Sequence, residues 1–113
     1  MAISPGYRDF VVEQLEHITS ITSKSMFGGV GLYADGFFFA LIAEDRLYFK
    51  VDYSNRPDFE TADMEAFSPY GDGRTMRYYE VPIGVLEDVD KLKTWAEKAV
   101  EVARRAKKVK KAK

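Results

Sequence analysis

Few residues in this chain have the chemistry to make a reactive site. His17 is the only histidine, and Glu13, four positions earlier, is the one neighbour that would share a helix face with it. A zinc site needs three or four ligands at set spacing, so one imidazole and one carboxylate do not make one. The plainer reading is a side chain near a helix carboxyl end, where a cation meets the negative pole of the dipole. The cluster Gly28-Gly29-Val30-Gly31 resembles a phosphate-cradling loop only in composition. Such a loop aims its amides from a following helix and usually continues into Lys and Ser or Thr. Here Leu32-Tyr33 and then Asp35-Gly36 follow, so a kinked strand or close backbone packing accounts for the glycines better. Asp58, Glu60, Asp63 and Glu65 lack the spacing and the glycine of a calcium loop and read as a solvated face. The absence of Cys excludes thiolate nucleophiles, thiolate metal ligands and disulfides. Scattered Ser and Thr have no base at motif spacing. The expectation is a non-enzymatic protein with no catalytic residue, metal or cofactor; the alternative is small-molecule binding or an enzyme of unknown type in the glycine-rich hairpin region.

Charge is more informative than any motif of this kind. Residues 104–113 hold seven of the seventeen basic side chains and no acid, leaving the first 103 residues with ten basic against eighteen acidic ones. The chain therefore divides into an acidic domain, 1–103, and a basic C-terminal tail, 104–113. Three readings of the tail compete: a solvated terminus, an extension of the last helix through Val109, or an arm that meets nucleic-acid phosphates. In the last case the contacts would be Arg104, Arg105, Lys107, Lys108, Lys110, Lys111 and Lys113. Binding would be weak and sequence-independent, with a log–log salt slope approaching about −5. No preference for single strands is expected, because the tail has no aromatic ring to stack on a base.

These groups must be carried by elements that the spacing of apolar residues reveals. At 113 residues, 46% of them apolar, one domain burying about two-thirds of its unfolded surface is expected. Ser4-Pro5 opens a helix, with Tyr7, Phe10, Val11, Leu15 and Ile18 at helical spacing. Residues 25–33, 37–43 and 46–51 then read as a three-stranded meander, turned at Asp35-Gly36 and Glu44-Asp45. Ser54 and Asn55 are candidates to cap a short helix containing Phe59, and residues 66–70 and 75–81 read as two more strands. One helical turn at 83–86 precedes a last helix starting at Asp88 or Asp90. Its inner stripe would be Leu92, Trp95, Ala96, Ala99, Val102, Ala103 and Ala106, with Trp95 largely buried. The fold class is α+β: a two-layer sandwich, a five-stranded mainly antiparallel sheet with the helices on one face. No signal peptide and no run near the roughly 20 apolar residues of a membrane span are found, so the expectation is a cytoplasmic protein off the membrane.

A sheet covered by helices on one side needs only one apolar face, yet aromatic residues occur on both. Strict alternation in residues 37–43 would put Phe37, Phe39 and Leu41 on one face and Phe38, Ala40 and Ile42 on the other. Tyr33, Tyr48 and either Tyr78 or Tyr79 are candidates for the open face, and Phe38, Tyr48, Tyr78 and Tyr79 for an interaction face. They would serve either as the fringe of a wide core or as a surface for a protein partner, a second copy of the chain among them.

Ser25-Met26-Phe27-Gly28-Gly29-Val30-Gly31-Leu32-Tyr33 also resembles the opening motif of the N-terminal domain of the TfoX/Sxy competence regulators. The motif residues are Met26, Phe27, Gly28, Gly29, Gly31 and Tyr33. The resemblance continues through Asp35-Gly36, residues 47–52, Asn55-Arg56, Phe59, Tyr78-Tyr79-Glu80-Val81-Pro82 and Leu92, Trp95, Ala96 and Ala99, spanning roughly residues 20–103. It implies helices packed on an antiparallel sheet, as in secretion chaperones, and a role in competence and transcription alongside another transcription factor. It supplies no catalytic residues. The family's full-length members carry a second, helical domain; here the basic tail occupies that place, so a standalone N-terminal domain is the expectation.

Overall fold

Two-residue turns set the architecture. In a computed structural model, which describes residues 5–26, 29–67 and 77–111, Asp35 and Gly36 adopt φ of 53° and 81°, and Glu44 and Asp45 adopt 53° and 58°. Positive φ at both central residues matches the right-handed twist of flanking strands, so each pair closes a tight hairpin. The first uses the sequence suited to it. The second places two ordinary L-residues in the left-handed region.

The elements in chain order are α1 (Pro5–Glu16), β1 (Thr22–Met26), β2 (Gly29–Ala34), β3 (Phe37–Ala43), β4 (Arg46–Lys50), α2 (Arg56–Thr61), β5 (Tyr78–Glu80), α3 (Ile83–Leu86) and α4 (Val89–Lys111). The five strands form one antiparallel sheet in the order β1-β2-β3-β4-β5. The α+β class and the five-stranded antiparallel sheet are as the sequence predicts. The strands are apportioned differently. The run 25–33, read as one strand, is the end of β1 and most of β2, and Met26 pairs with Gly29. Of the strand expected over 66–70, Ala66 makes a bridge to Tyr79 and Phe67 N donates to Tyr78 O at 2.7 Å. The rest lies outside the described residues, as does Ser4, the expected cap of α1.

β3 departs from simple alternation. Leu32 pairs with Ala40 but Tyr33 pairs with Phe38, so β3 spends two residues, Phe39 and Ala40, against one on β2. That extra residue is a β-bulge, and it reverses the facing of everything beyond it. Phe39, Ala40 and Ile42 are all in the main core, with Phe37 packed beside them, while Phe38 and Leu41 look the other way. This corrects the expected split of Phe37, Phe39 and Leu41 from Phe38, Ala40 and Ile42.

The main core lies between sheet and helices. Val11 and Leu15 of α1, Phe59 of α2, Val85 and Leu86 of α3, and Leu92, Ala96, Ala99 and Ala103 of α4 meet Leu32, Phe39, Ile42, Leu47 and Phe49. Small alanines let α4 lie close across β3 and β4. Trp95, expected inside, is only partly buried at the edge of this layer, its ring 4.7 Å from Phe59 in an edge-on contact. The reason is phase: Trp95 lies about 70° of helix rotation from the centre of the stripe set by Leu92, Ala96, Ala99 and Ala103. Asp88 begins α4, its Oδ1 accepting from Asp90 N at 3.1 Å and Lys91 N at 3.3 Å. Gln14 Nε2 donates to Leu86 O at 2.9 Å and ties α1 to α3.

Candidate interaction surfaces

The sheet face turned away from the helices is where most of the candidate side chains collect. The antiparallel register puts Lys24 of β1, Gly29, Gly31 and Tyr33 of β2, Phe38 and Leu41 of β3, Tyr48 and Lys50 of β4, and Tyr78 of β5 on it. Leu41, Tyr48 and Tyr78 are buried there as a second, smaller core, with Phe38, Ala43 and Phe67 packed round them. Tyr33 stacks on Phe38 with ring centroids 5.2 Å apart, Phe38 meets Tyr78 at 5.6 Å, and Tyr48 meets Phe67 at 4.8 Å. Two ammonium groups lie over this layer: Lys24 Nζ is 5.4 Å from the Tyr33 ring centre and Lys50 Nζ 5.1 Å from that of Tyr78. Each is a cation over the negative face of a phenol ring, an arrangement that favours both.

The chemistry of these phenols follows from burial. Tyr78 is pushed up to about 12 by desolvation, with Tyr33 adding to it. Burial also raises Tyr48, helped by nearby Glu80, although Arg46 works against it. Both stay protonated through the physiological range and offer O–H donors.

Of the four residues expected to form an interaction face, Phe38, Tyr48 and Tyr78 are brought together and Tyr79 is not. Tyr79 packs toward the helices, 5.9 Å from Phe59. Adjacent residues of a strand must face opposite ways. Tyr33, Leu41, Phe67, Lys24 and Lys50 complete the face. The alternation of β4 already paired Tyr48 with Lys50; nothing local in the sequence brings Lys24 to Tyr33. Of the motif residues, Met26, Gly29, Gly31 and Tyr33 lie along the β1–β2 hairpin, and Phe27 and Gly28 lie outside the described residues.

The second surface is the C-terminal part of α4, which continues through 103/104 to Lys111. Arg105 Nη2 donates to Asp52 Oδ2 at 3.0 Å and to Ser54 Oγ at 2.8 Å, fastening the helix to the loop after β4. Arg104 pairs with Glu101 at 2.8 Å. Lys107, Lys108, Lys110 and Lys111 occupy the last turns of the helix, and Lys113 lies outside the described residues. The loop itself is rigidly built. Asp52 Oδ1 accepts from Ser54 N at 2.7 Å and Ser54 Oγ at 2.6 Å. Asn55, the one buried polar side chain among the described residues, accepts from Asp52 N at 2.9 Å and donates to Lys50 O at 3.0 Å. Asn55 thus braces the end of β4; it does not cap α2 with its side chain, as the sequence led one to expect. Partial burial opposes the charge on Asp52, but the bonds from Ser54 and Arg105 outweigh it and hold the carboxyl below its ordinary range.

His17 is exposed just past the end of α1, and Asp58 is paired with Lys98 at 2.8 Å. Among the described residues, no three His, Asp or Glu side chains converge on a metal position and no helix is long and apolar enough to cross a membrane. A family model, the TfoX N-terminal domain, matches residues 13–103. No curated protein matches the chain.

Proposed function

We propose, from the premise that this chain belongs to the TfoX N-terminal domain family, that it is a non-enzymatic cytoplasmic domain acting through protein contacts in transcriptional control of the competence type. The observation that carries this reading is the sheet face that none of the described helices covers, where Tyr33, Phe38 and Phe67 remain partly accessible around buried Leu41, Tyr48 and Tyr78. Aromatic rings with a few fixed polar groups are what protein interfaces use as anchors. The same face suits a second copy of the chain, whose matching face would cover it about a two-fold axis. Pull-down from native cytosol, with and without nuclease, is the test. A protein retained after nuclease and lost with Phe38→Ser, in a variant shown by circular dichroism to be folded, is the expected result. Sedimentation equilibrium at micromolar concentration separates a self-partner from a foreign one. Unchanged retention by the Phe38→Ser variant would remove the sheet face from the reading.

A second reading is nucleic-acid binding through the basic end of α4. Its supporting observation is that this stretch continues the backbone of a helix that Arg105 fastens to the loop after β4. Arg104 and Arg105 already have carboxylate partners, so five lysines remain for phosphates and the duplex salt slope should be no steeper than about −4.5.

A further inference from the structure

Beside the point where Arg105 fastens α4 lies a cleft of about 480 Å³, bounded by Tyr53, Arg56, Arg77 and Tyr79, with Val51 and Ala66 in its walls. It forms because the β4–β5 ladder runs one rung past β4: Val51 N donates to Arg77 O at 2.9 Å, which sets Arg77 against the loop that carries Tyr53 and Arg56.

Three features of the cleft point to a ligand. Its cations are underused. Arg77 has no carboxylate partner among the described residues, and Arg56 has only an exposed contact to Glu60 at 3.8 Å on its own helix turn, a kind of pair that contributes little. Its one carboxylate is occupied, since Asp52 is already bonded by Ser54 and Arg105. The cleft is therefore positive within an otherwise acidic body. Finally, Tyr53 is 81% exposed, the most exposed large apolar side chain among the described residues, on a loop held by six side-chain hydrogen bonds involving Asp52, Ser54 and Asn55. A bare ring on a rigid mount is a stacking platform at little entropic cost.

We propose that this cleft binds a nucleotide unit of single-stranded nucleic acid, its base stacked on Tyr53, its phosphates held by Arg56 and Arg77, and the strand continuing along the lysine-bearing end of α4. The proposal deepens the second reading above and is independent of the sheet face. It also reverses the expectation that the basic stretch has no strand preference. That expectation followed from a tail without aromatics, whereas Arg105 places the start of the lysine run beside Tyr53. The shared chemistry, an aromatic base carrying phosphate, could also come from a free nucleotide, and the test separates the two.

The experiment is fluorescence anisotropy of the full chain with a labelled oligothymidylate, a duplex of equal length, and adenosine monophosphate as competitor, at two salt concentrations. Three variants accompany it: Tyr53→Ala, Arg56→Ala with Arg77→Ala, and Lys107, Lys108, Lys110 and Lys111 all to Gln, which leaves the Arg105 clamp intact. The full chain should prefer the single strand. Tyr53→Ala should weaken single-strand binding about fivefold or more, as loss of one stacking ring does, and leave duplex binding little changed. The double arginine variant should lose affinity and flatten the salt dependence. Equal binding of single strand and duplex, or no effect of Tyr53→Ala, overturns the proposal even if the lysine variant shows that α4 binds nucleic acid. Conversely, loss with the cleft variants and none with the lysine variant upholds the cleft and removes the helix. Binding of the mononucleotide alone, with no oligonucleotide bound, overturns the strand assignment.

Discussion

The two faces of the sheet are cut from the same strands but closed by different means. On one side, α1, α3 and α4 supply aliphatic side chains and α2 supplies Phe59, and Phe39, Phe49, Ile42 and Leu47 are sealed by Leu15, Leu86, Leu92 and the alanines of α4. On the other, where none of the described helices lies, aromatic rings pack on one another and lysine ammonium groups sit above them. Cover by helices removes water from whole side chains and is worth about 25 cal/mol for each Å² of apolar surface buried. Cover by neighbouring rings and snorkelling lysines is partial, cheaper in chain length, and leaves edges within reach of a partner. The first face holds the fold together; the second keeps its apolar groups available.

This contrast can be broken by substitution. Phe39→Ala, on the helix side, should cost about 3–5 kcal/mol in urea unfolding, and Leu41→Ala, two residues on but across the bulge, about 2 kcal/mol. Equal losses would mean that both faces are sealed alike. Trp95→Ala should cost about 2 kcal/mol, below a fully buried aromatic, because the indole lies at the rim of the helix layer. Its native emission should fall between those of buried and water-exposed indole.

Alkaline pH sharpens the comparison, since each side holds one strongly perturbed phenol. Tyr7, on the helix side and hydrogen-bonded to the backbone of Leu47, is pushed up to about 12, chiefly by burial and then by Glu80; Tyr78 on the open side reaches about 12 as well. The folded state holds both protons more tightly than the unfolded chain. Their contribution to stability is thus complete below about pH 10 and is lost as pH rises through about 12. Phenolate absorbance should show both groups titrating late, and Tyr7→Phe and Tyr78→Phe should each remove one late step. The smallest effect belongs to the cations: Lys24→Gln should cost about 0.5 kcal/mol, a typical exposed cation–ring contact, measurable as a shift in thermal midpoint.

How much of this was legible depends on the residues concerned. Asp35-Gly36 announces its turn because both types tolerate positive φ, and β4 announces its faces because Leu47 and Phe49 alternate with Tyr48 and Lys50. β3 is opaque: Phe-Phe-Phe-Ala-Leu-Ile-Ala is apolar at every position, so no break in alternation betrays the bulge. Trp95 misleads because an aromatic at helical spacing looks like core, while the alanines that fix the buried stripe look unimportant. The open face was half visible, for Tyr78 and Tyr79 read alike until pairing assigns them opposite sides. The cleft was not visible at all, since Arg56 and Arg77 converge only once β5 pairs with β4 and the ladder runs on through the hydrogen bond from Val51 to Arg77.

The bulge at Phe39 and Ala40 has a consequence for how this chain tolerates losing a residue. Deleting one position inside a paired strand normally rotates every side chain beyond it from one face to the other. Here β3 already carries one residue more than its partner needs opposite Leu32. Removing Ala40 would let Phe39 take its place in the ladder, with Phe38 still against Tyr33 and Leu41 still against Gly31. Both faces would keep their membership, and the loss would be one methyl from the core. A deletion scan along β3 should therefore dip in severity at this one point, and relatives that lack a residue there would still present the same two faces.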